Sequence, residues 1–289
     1  MFKKILYIHI LIISINIFNY SILQAEEEEG SFDSWISHIK KLALEEGISR
    51  ETLNSAFVGI ERNERVIELD RKQPEFTLTL EEYLNNTVTK GRMNKGKQYY
   101  SEYQDLLIEI SNEFQVQPRF ILALWGIETS FGKYTGSFNV IRSLSTLSHD
   151  FRRRDFFTDE LINALKIIDQ GHIEAKEMMG SWAGAMGQNQ FMPSSFLNFA
   201  TDFNNDTKKD IWNTQSDVFA STANYLSNSG WNHNQTWGRE VITTKEIDSE
   251  LITTSAKSID VSRKIHEWSK MGILNVDETN LPNVNIDAY

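Results

Sequence analysis

Ala123-Leu124-Trp125-Gly126-Ile127-Glu128-Thr129-Ser130-Phe131-Gly132 is the stretch on which the reading of this chain turns. It ends a run that opens at Pro118, a residue suited to the first helical position because its missing N–H would have no partner there. Phe120, Ile121, Leu124 and Ile127 then recur at spacings of three and four, so the pattern predicts an apolar helix. Glu128 is its single carboxylate, close to the C-terminal end. The partial negative charge of a helix end and the loss of hydration both oppose ionisation. A carboxyl in that position is set to keep its proton towards neutral pH, as a general acid requires. An ordinary, partly exposed helix-end glutamate fits the same local pattern.

Two more segments carry chemistry. In Gly180-Ser181-Trp182-Ala183-Gly184-Ala185-Met186-Gly187-Gln188-Asn189-Gln190-Phe191-Met192-Pro193-Ser194, small residues alternate with large apolar ones. Glycines let a ligand lie against the backbone. Ser181, Gln188 and Gln190 offer neutral donors and acceptors, which suit hydroxyl and N-acetyl groups better than phosphates. A tight connection between helices has the same composition. The serine stands second in Gly180-Ser181-Trp182-Ala183-Gly184, whereas a nucleophile elbow needs it third. From Asp202, oxygen side chains fall at positions 1, 3, 5 and 9 of a calcium-type loop (Asp202, Asn204, Asp206, Asp210). Thr207 takes the place of the loop's glycine and Asn213 that of its bidentate glutamate, so a solvated polar turn fits the local sequence equally. No two histidines stand at metal-ligand spacing. Arg152-Arg153-Arg154 is a basic run that reads either as a solvated face or as a grip on an anionic group.

The flanks are mostly helical. Phe32, Trp35, Ile36, Ile39, Leu42 and Ala43 mark an amphipathic helix closed by Gly47, and Ser49 can cap the next. Leu78 to Ile110 is helical in pattern, and Phe157 to Ile168 predicts another long helix. β-branched residues gather between Trp237 and Ser258, which suggests a small hairpin. Asp260 is placed to cap a last helix through Trp268. The class is mainly α with a minor β element.

The chain has 289 residues, with 29 Lys+Arg against 40 Asp+Glu and a net charge of −11. That balance argues against nucleic acid, whose binding rests on basic contacts to phosphate. With 40% hydrophobic residues, 15 Gly and 4 Pro, the composition is globular. The absence of cysteine excludes disulfides, thiolate metal sites, a cysteine nucleophile and an acylated N-terminal cysteine. Lys3-Lys4, an apolar run from Ile5 to Phe18 and Ser21-Ile22-Leu23-Gln24-Ala25 follow the order of a secretory signal. The run is short for a membrane span of about 20 residues. Cleavage after Ala25 is the expectation, with an uncleaved anchor as the alternative, and the mature protein is expected in the periplasm.

Together these segments resemble the B-type family of membrane-bound lytic murein transglycosylases. The likeness runs from about Phe32 to Gly272 and is densest at Trp125 to Gly132, Leu144 to Phe157 and Gly180 to Trp231. It implies a lysozyme-like catalytic core over about 80–235, an additional helical domain and a small β element, all within 26–289. Glu128 then takes the role of catalytic acid and base. The implied reaction cleaves the β-1,4 bond between N-acetylmuramic acid and N-acetylglucosamine and leaves 1,6-anhydromuramyl ends, without a second carboxylate. Carried over residue by residue, the resemblance assigns Ser181, Gln190, Tyr83, Tyr225, Arg152 and Arg153 to substrate binding. It implies no cofactor for catalysis, and a structural Ca²⁺ held by Asp202, Asn204, Asp206, the Lys208 carbonyl, Asp210 and Asp217 over 202–217. The expected ligand is the glycan strand of peptidoglycan, with proteins of the cell-wall machinery as candidate partners and no nucleic acid. No counterpart of the family's final groove segment is seen in Asn275 to Tyr289: either the groove is completed differently or the chain is a C-terminally shortened member, and the absent lipid-anchor cysteine suggests a soluble form. A non-catalytic peptidoglycan-binding protein with a degenerate groove, or a hydrolytic muramidase, fits the same motifs.

Overall fold

The computed structural model describes residues 30–72, 79–251 and 261–288. The signal segment read at 1–25 lies outside them. The chain divides into two compact units, one up to Asn232 and one from His233.

Local capping sets the helices of the first unit. α1 (Phe32–Glu45) starts where Ser31 Oγ accepts the Ser34 N–H, and α2 (Arg50–Ala56) where Ser49 Oγ accepts that of Thr52. These caps satisfy N–H groups that the first turn cannot. After α3 (Glu64–Lys72), the helical stretch expected from Leu78 to Ile110 is three helices: α4 (Leu80–Thr87), α5 (Lys90–Glu102) and α6 (Gln104–Phe114). Thr79 caps the first and Thr89 the second by accepting the N–H of Glu82 and of Arg92, while the third starts at Tyr103 without a side-chain cap. Hydrophobic spacing does not register such a break. The remaining helices are α7 (Pro118–Thr129), α8 (Val140–His149), α9 (Arg154–Asp169), α10 (Pro193–Phe199) and α11 (Gln215–Asn228).

α8 carries Val140, Ile141, Leu144 and Leu147 at helical spacing, and its serine and threonine face is buried as well. Such a helix runs through a core. Two of its hydroxyls are bonded there: Thr146 Oγ1 donates to the Arg142 carbonyl and accepts the Asn63 N–H, while Ser148 Oγ accepts the Trp35 indole N–H at 3.0 Å. Around α8 lies one apolar cluster, with Ile39, Leu144, Leu161, Leu165 and Phe196 at its centre. A second joins α6, α7 and α11 through Leu107, Ile110, Ile121, Trp125 and Phe219.

A short antiparallel pair, β1 (Phe138–Asn139) with β2 (Met179–Gly180), brings the loop after β2 alongside α8. Gly136 makes the approach possible. Its φ is +101°, and a Cβ there would lie 2.0 Å from the Gly180 carbonyl oxygen, so no other residue fits.

In the second unit, β3 (Val241–Thr243) pairs with β5 (Ile273–Asn275), and β4 (Arg263–Lys264) with β6 (Asp287–Ala288), both antiparallel. The β element is therefore not a hairpin within 237–258, because the partner of β3 lies far downstream; Ile252 to Thr254 are outside the described residues. α12 (Ile265–Lys270) follows Lys264 as its N-cap, and Asp260 is likewise outside them. Trp268 anchors this unit, with its indole N–H donating to the Ala288 carbonyl at 2.8 Å. No helix among the described residues is long and apolar enough to cross a membrane.

Candidate active site

Glu128 sits in the last turn of α7. The helix ends in a left-handed turn, with φ of 53° at Ser130, 63° at Phe131 and 75° at Gly132. A left-handed conformation costs a non-glycine residue about 1–2 kcal/mol. Packing offsets it: the Phe131 ring folds back on α7, 5.2 Å from Trp125 and 5.1 Å from Tyr99. Gly126 is small for this purpose, since a Cβ there would come within 2.8 Å of that ring. Trp125, one turn before Glu128, donates from its indole to Gln188 Oε1 at 2.7 Å. Thr129 Oγ1 donates to the Gln188 carbonyl at 3.0 Å, and Gln188 Nε2 to the Trp212 carbonyl at 2.8 Å. The end of α7 is thus bolted to the loop before α10. Gln188 is a structural link in this network, with both ends of its amide in use, rather than a groove residue.

Between these parts lies a cleft of about 200 Å³. α7 lines it with Leu124, Trp125 and Glu128, the loop with Asn189, Gln190, Phe191 and Met192, α10 with Ser195, and α11 with Thr222 and Tyr225. Among the described residues, Glu128 is the one acidic residue in the wall. Its side chain reaches solvent at the cleft, yet the surrounding protein strips enough hydration from the carboxyl to push its pKa up, with burial as the cause.

The structure distributes the other expected residues unevenly. Gln190 lines the cleft in a left-handed conformation (φ 52°), its Nε2 donating to the carbonyls of Thr135 and Gly187 at 3.0 Å each. The Tyr225 ring stands 5.6 Å from Phe191 and edge-on to Phe199. Ser181 is not in this wall; its Oγ accepts the N–H groups of Ala183 and Ala185 and shapes the loop after β2. Tyr83 is exposed on α4, also outside the wall. Arg152 and Arg153 converge on Asp70, which is 2% exposed. Arg152 Nε stands 2.9 Å from Asp70 Oδ2, Arg153 Nη2 donates to Oδ1, and the Arg153 guanidinium lies over the Phe157 ring. The pair ties α3 to the start of α9 and keeps part of each guanidinium in solvent. Sequence reasoning did not single out Asn189, Ser195 or Thr222. Their only signal was a place beside residues already of interest.

The 202–217 loop is a chain of side-chain-to-backbone bonds. Asp202 accepts the N–H groups of Asp206 and Thr207, Asp206 that of Lys208, and Asp210 those of Trp212 and Asn213. Asn204 Nδ2 donates to Asp206. Asn205 and Thr207 have φ of 59° and 76°, so the backbone takes the glycine path despite the β-branched side chain. Asp217 is fully buried and accepts the N–H groups of Phe203 and Asp210. Burial pushes its pKa up against those bonds. The donors are all oxygens, which suits a hard cation. Among the described residues, however, no three acidic or imidazole groups come together as a metal set.

Residues 31–288 match the family model described as a transglycosylase SLT domain. Membrane-bound lytic murein transglycosylase B of Escherichia coli (strain K12) is 29% identical over 203 residues, 67% of this chain and 56% of that protein. The chain thus spans little more than half the length of that curated relative. SltB3 from Pseudomonas aeruginosa, solved in complex with NAG-NAM-pentapeptide, has a TM-score of 0.83 at 38% identity and covers 88% of this chain and 67% of its own. SltB1 from the same organism has a TM-score of 0.74 at 26% identity over 85% of this chain and 82% of its own. The fold is the mainly helical, lysozyme-like fold of lytic transglycosylases. The family match also runs on past Gly272, through β5 and β6, where the motifs alone gave no counterpart. By that match over nearly its whole described length, the chain belongs to the transglycosylase SLT domain family.

Proposed function

We propose that this protein is a peptidoglycan lytic transglycosylase with Glu128 as its general acid and base. The observation that carries the reading is a lone carboxyl, its pKa raised by burial, in the wall of a cleft otherwise lined by apolar and neutral polar groups. Protonated Glu128 gives its proton to the oxygen linking N-acetylmuramic acid to N-acetylglucosamine, and the bond from that oxygen to the muramic anomeric carbon breaks. The resulting carboxylate takes the proton of the muramic 6-hydroxyl as that oxygen bonds to the anomeric carbon. The ring closes as a 1,6-anhydro end and Glu128 is protonated again. Glycosidases that use water employ two carboxylates at set separations; the single acid of this cleft accords with an internal nucleophile. Gln190 and Tyr225 are proposed to contact sugar in the cleft, with Ser181 shaping the loop behind it. Tyr83 and the exposed parts of Arg152 and Arg153 are proposed to contact substrate beyond it. A periplasmic location is proposed with it, supported by such a substrate and by the order of residues read as a signal at 1–25.

Mass spectrometry of peptidoglycan digested with the protein tests this directly. Anhydromuramyl ends are expected. Reducing muramic ends would instead identify a muramidase, and no cleavage with retained sacculus binding would identify a binding protein.

A weak Ca²⁺ site is proposed at Asp202, Asn204, Asp206, the Lys208 carbonyl, Asp210 and Asp217, supported by the all-oxygen donor chemistry and the glycine-like path at 205 and 207. Millimolar Ca²⁺ is expected to raise the melting temperature, as a ligand that binds only the folded state must. An unchanged melting temperature would remove the site.

A further inference from the structure

Asn189 is nine-tenths buried in the cleft wall that holds Glu128, with 9% of its surface exposed. Its side-chain nitrogen is fully engaged, donating to the Val218 carbonyl and to Thr222 Oγ1, both at 2.7 Å. Thr222 Oγ1 spends its own proton on the same Val218 carbonyl at 3.0 Å. The amide therefore cannot be turned over, because the reverse orientation would set its oxygen against a carbonyl that only accepts. The oxygen that results, Asn189 Oδ1, is buried and accepts no hydrogen bond from any group among the described residues. An unsatisfied buried acceptor destabilises a fold, and such exceptions in a native structure call for a cause.

We infer that Asn189 Oδ1 is a fixed acceptor for the N–H of a 2-acetamido group on the sugar that enters the Glu128 cleft, making Asn189 a specificity-determining residue. An amide N–H only donates and so matches an oxygen that only accepts. A hydroxyl would bring lone pairs into a wall that also holds Leu124, Phe191 and Met192, where unpaired polar atoms are penalised. The oxygen is reached by a rotamer change in the wall, for which the unbranched Met192 is suited. Through Thr222 the same amide braces the loop against α11, one turn before Tyr225.

The inference rests on the proposed saccharide substrate, and the test separates the two. Calorimetry would measure the disaccharide N-acetylglucosaminyl-N-acetylmuramic acid and its analogues in which either 2-acetamido group is replaced by the isosteric 2-acetoxy ester, which lacks the N–H. The parent protein is expected to bind one acetoxy analogue about tenfold more weakly, the loss of one buried hydrogen bond. Asn189→Leu is expected to bind the acetamido sugar about tenfold more weakly than the parent and to make no distinction between amide and ester. Equal discrimination by parent and Asn189→Leu, or none by the parent, would overturn the inference and leave Asn189 as a brace. The parent arm needs no variant to fold. Cleavage of peptidoglycan to anhydromuramyl ends, measured alongside, reports on the proposed function alone.

Discussion

Glu128→Gln is expected to lower turnover of peptidoglycan by a factor of about 10²–10⁴, the range lost with a general acid or base, while sacculus binding persists. Glutamine keeps the shape of the side chain and its place in the cleft wall but can neither give nor take the proton. The parent's pH dependence follows from the same group. Because burial raises the pKa of Glu128, the acid form survives to a higher pH than an ordinary glutamate allows, and kcat/KM falls as pH rises through that raised value. Stability has a definite sign too. The folded state holds this proton more tightly than the unfolded chain, so the unfolded chain ionises first as pH rises. The carboxyl therefore weakens the fold progressively from the ordinary glutamate range up to the raised value, and no further above it. Glu128→Gln should flatten that slope and be at least as stable as the parent at neutral pH. A Gln variant with parental turnover would remove Glu128 from the chemistry. A variant that has lost stability at neutral pH would show that the carboxyl is structural.

Trp125→Ala is expected to destabilise the first unit by about 3–5 kcal/mol, the usual range for deleting a buried aromatic. Trp125 is 4% exposed and holds Tyr99, Phe131 and Phe219 at ring separations of 4.8, 5.2 and 5.1 Å. The substitution also strands Gln188 Oε1, which the indole N–H satisfies at 2.7 Å. For a protein of this size a loss of that order lowers the melting temperature by on the order of 10 °C. Trp125→Phe keeps most of the packing and removes only the N–H, so its expected loss is the smaller cost of about 1–3 kcal/mol for an unpaired buried acceptor. Chemical denaturation of the two variants separates the terms. If Trp125→Ala stays within about 1 kcal/mol of the parent, α7 is not held by this ring cluster.

Both predictions concern α7, the part of the molecule most plainly written in the sequence. Pro118, the apolar spacing and the carboxylate before Ser130 act within one or two turns, and the observed helix runs from Pro118 to Thr129. The serine caps at Ser31 and Ser49 act over three residues. The break at Thr89 is equally local, but it is made by a hydroxyl group and leaves the hydrophobic pattern untouched. In α8 the apolar residues Val140, Ile141, Leu144 and Leu147 keep a helical spacing, but the burial of its serine and threonine face depends on segments packed from elsewhere in the chain.

Sequence by itself thus determined the mainly helical class, the position of Glu128 at a helix end and the segments that border it, because capping, helix periodicity and end electrostatics are short-range. Tertiary structure decided how the polar side chains are used. Gln188 and Gln190 are two residues apart in similar company, yet one is consumed by Trp125 and Trp212 while the other lines the cleft. Asn189 between them has its amide fixed by Val218 and Thr222 on α11. Arg152 and Arg153 are bound to a carboxylate on α3, and β3 finds its partner beyond α12. In each case the outcome depends on which donor, acceptor or strand edge a distant segment presents, and the alternation of residue types along the chain carries no record of that choice.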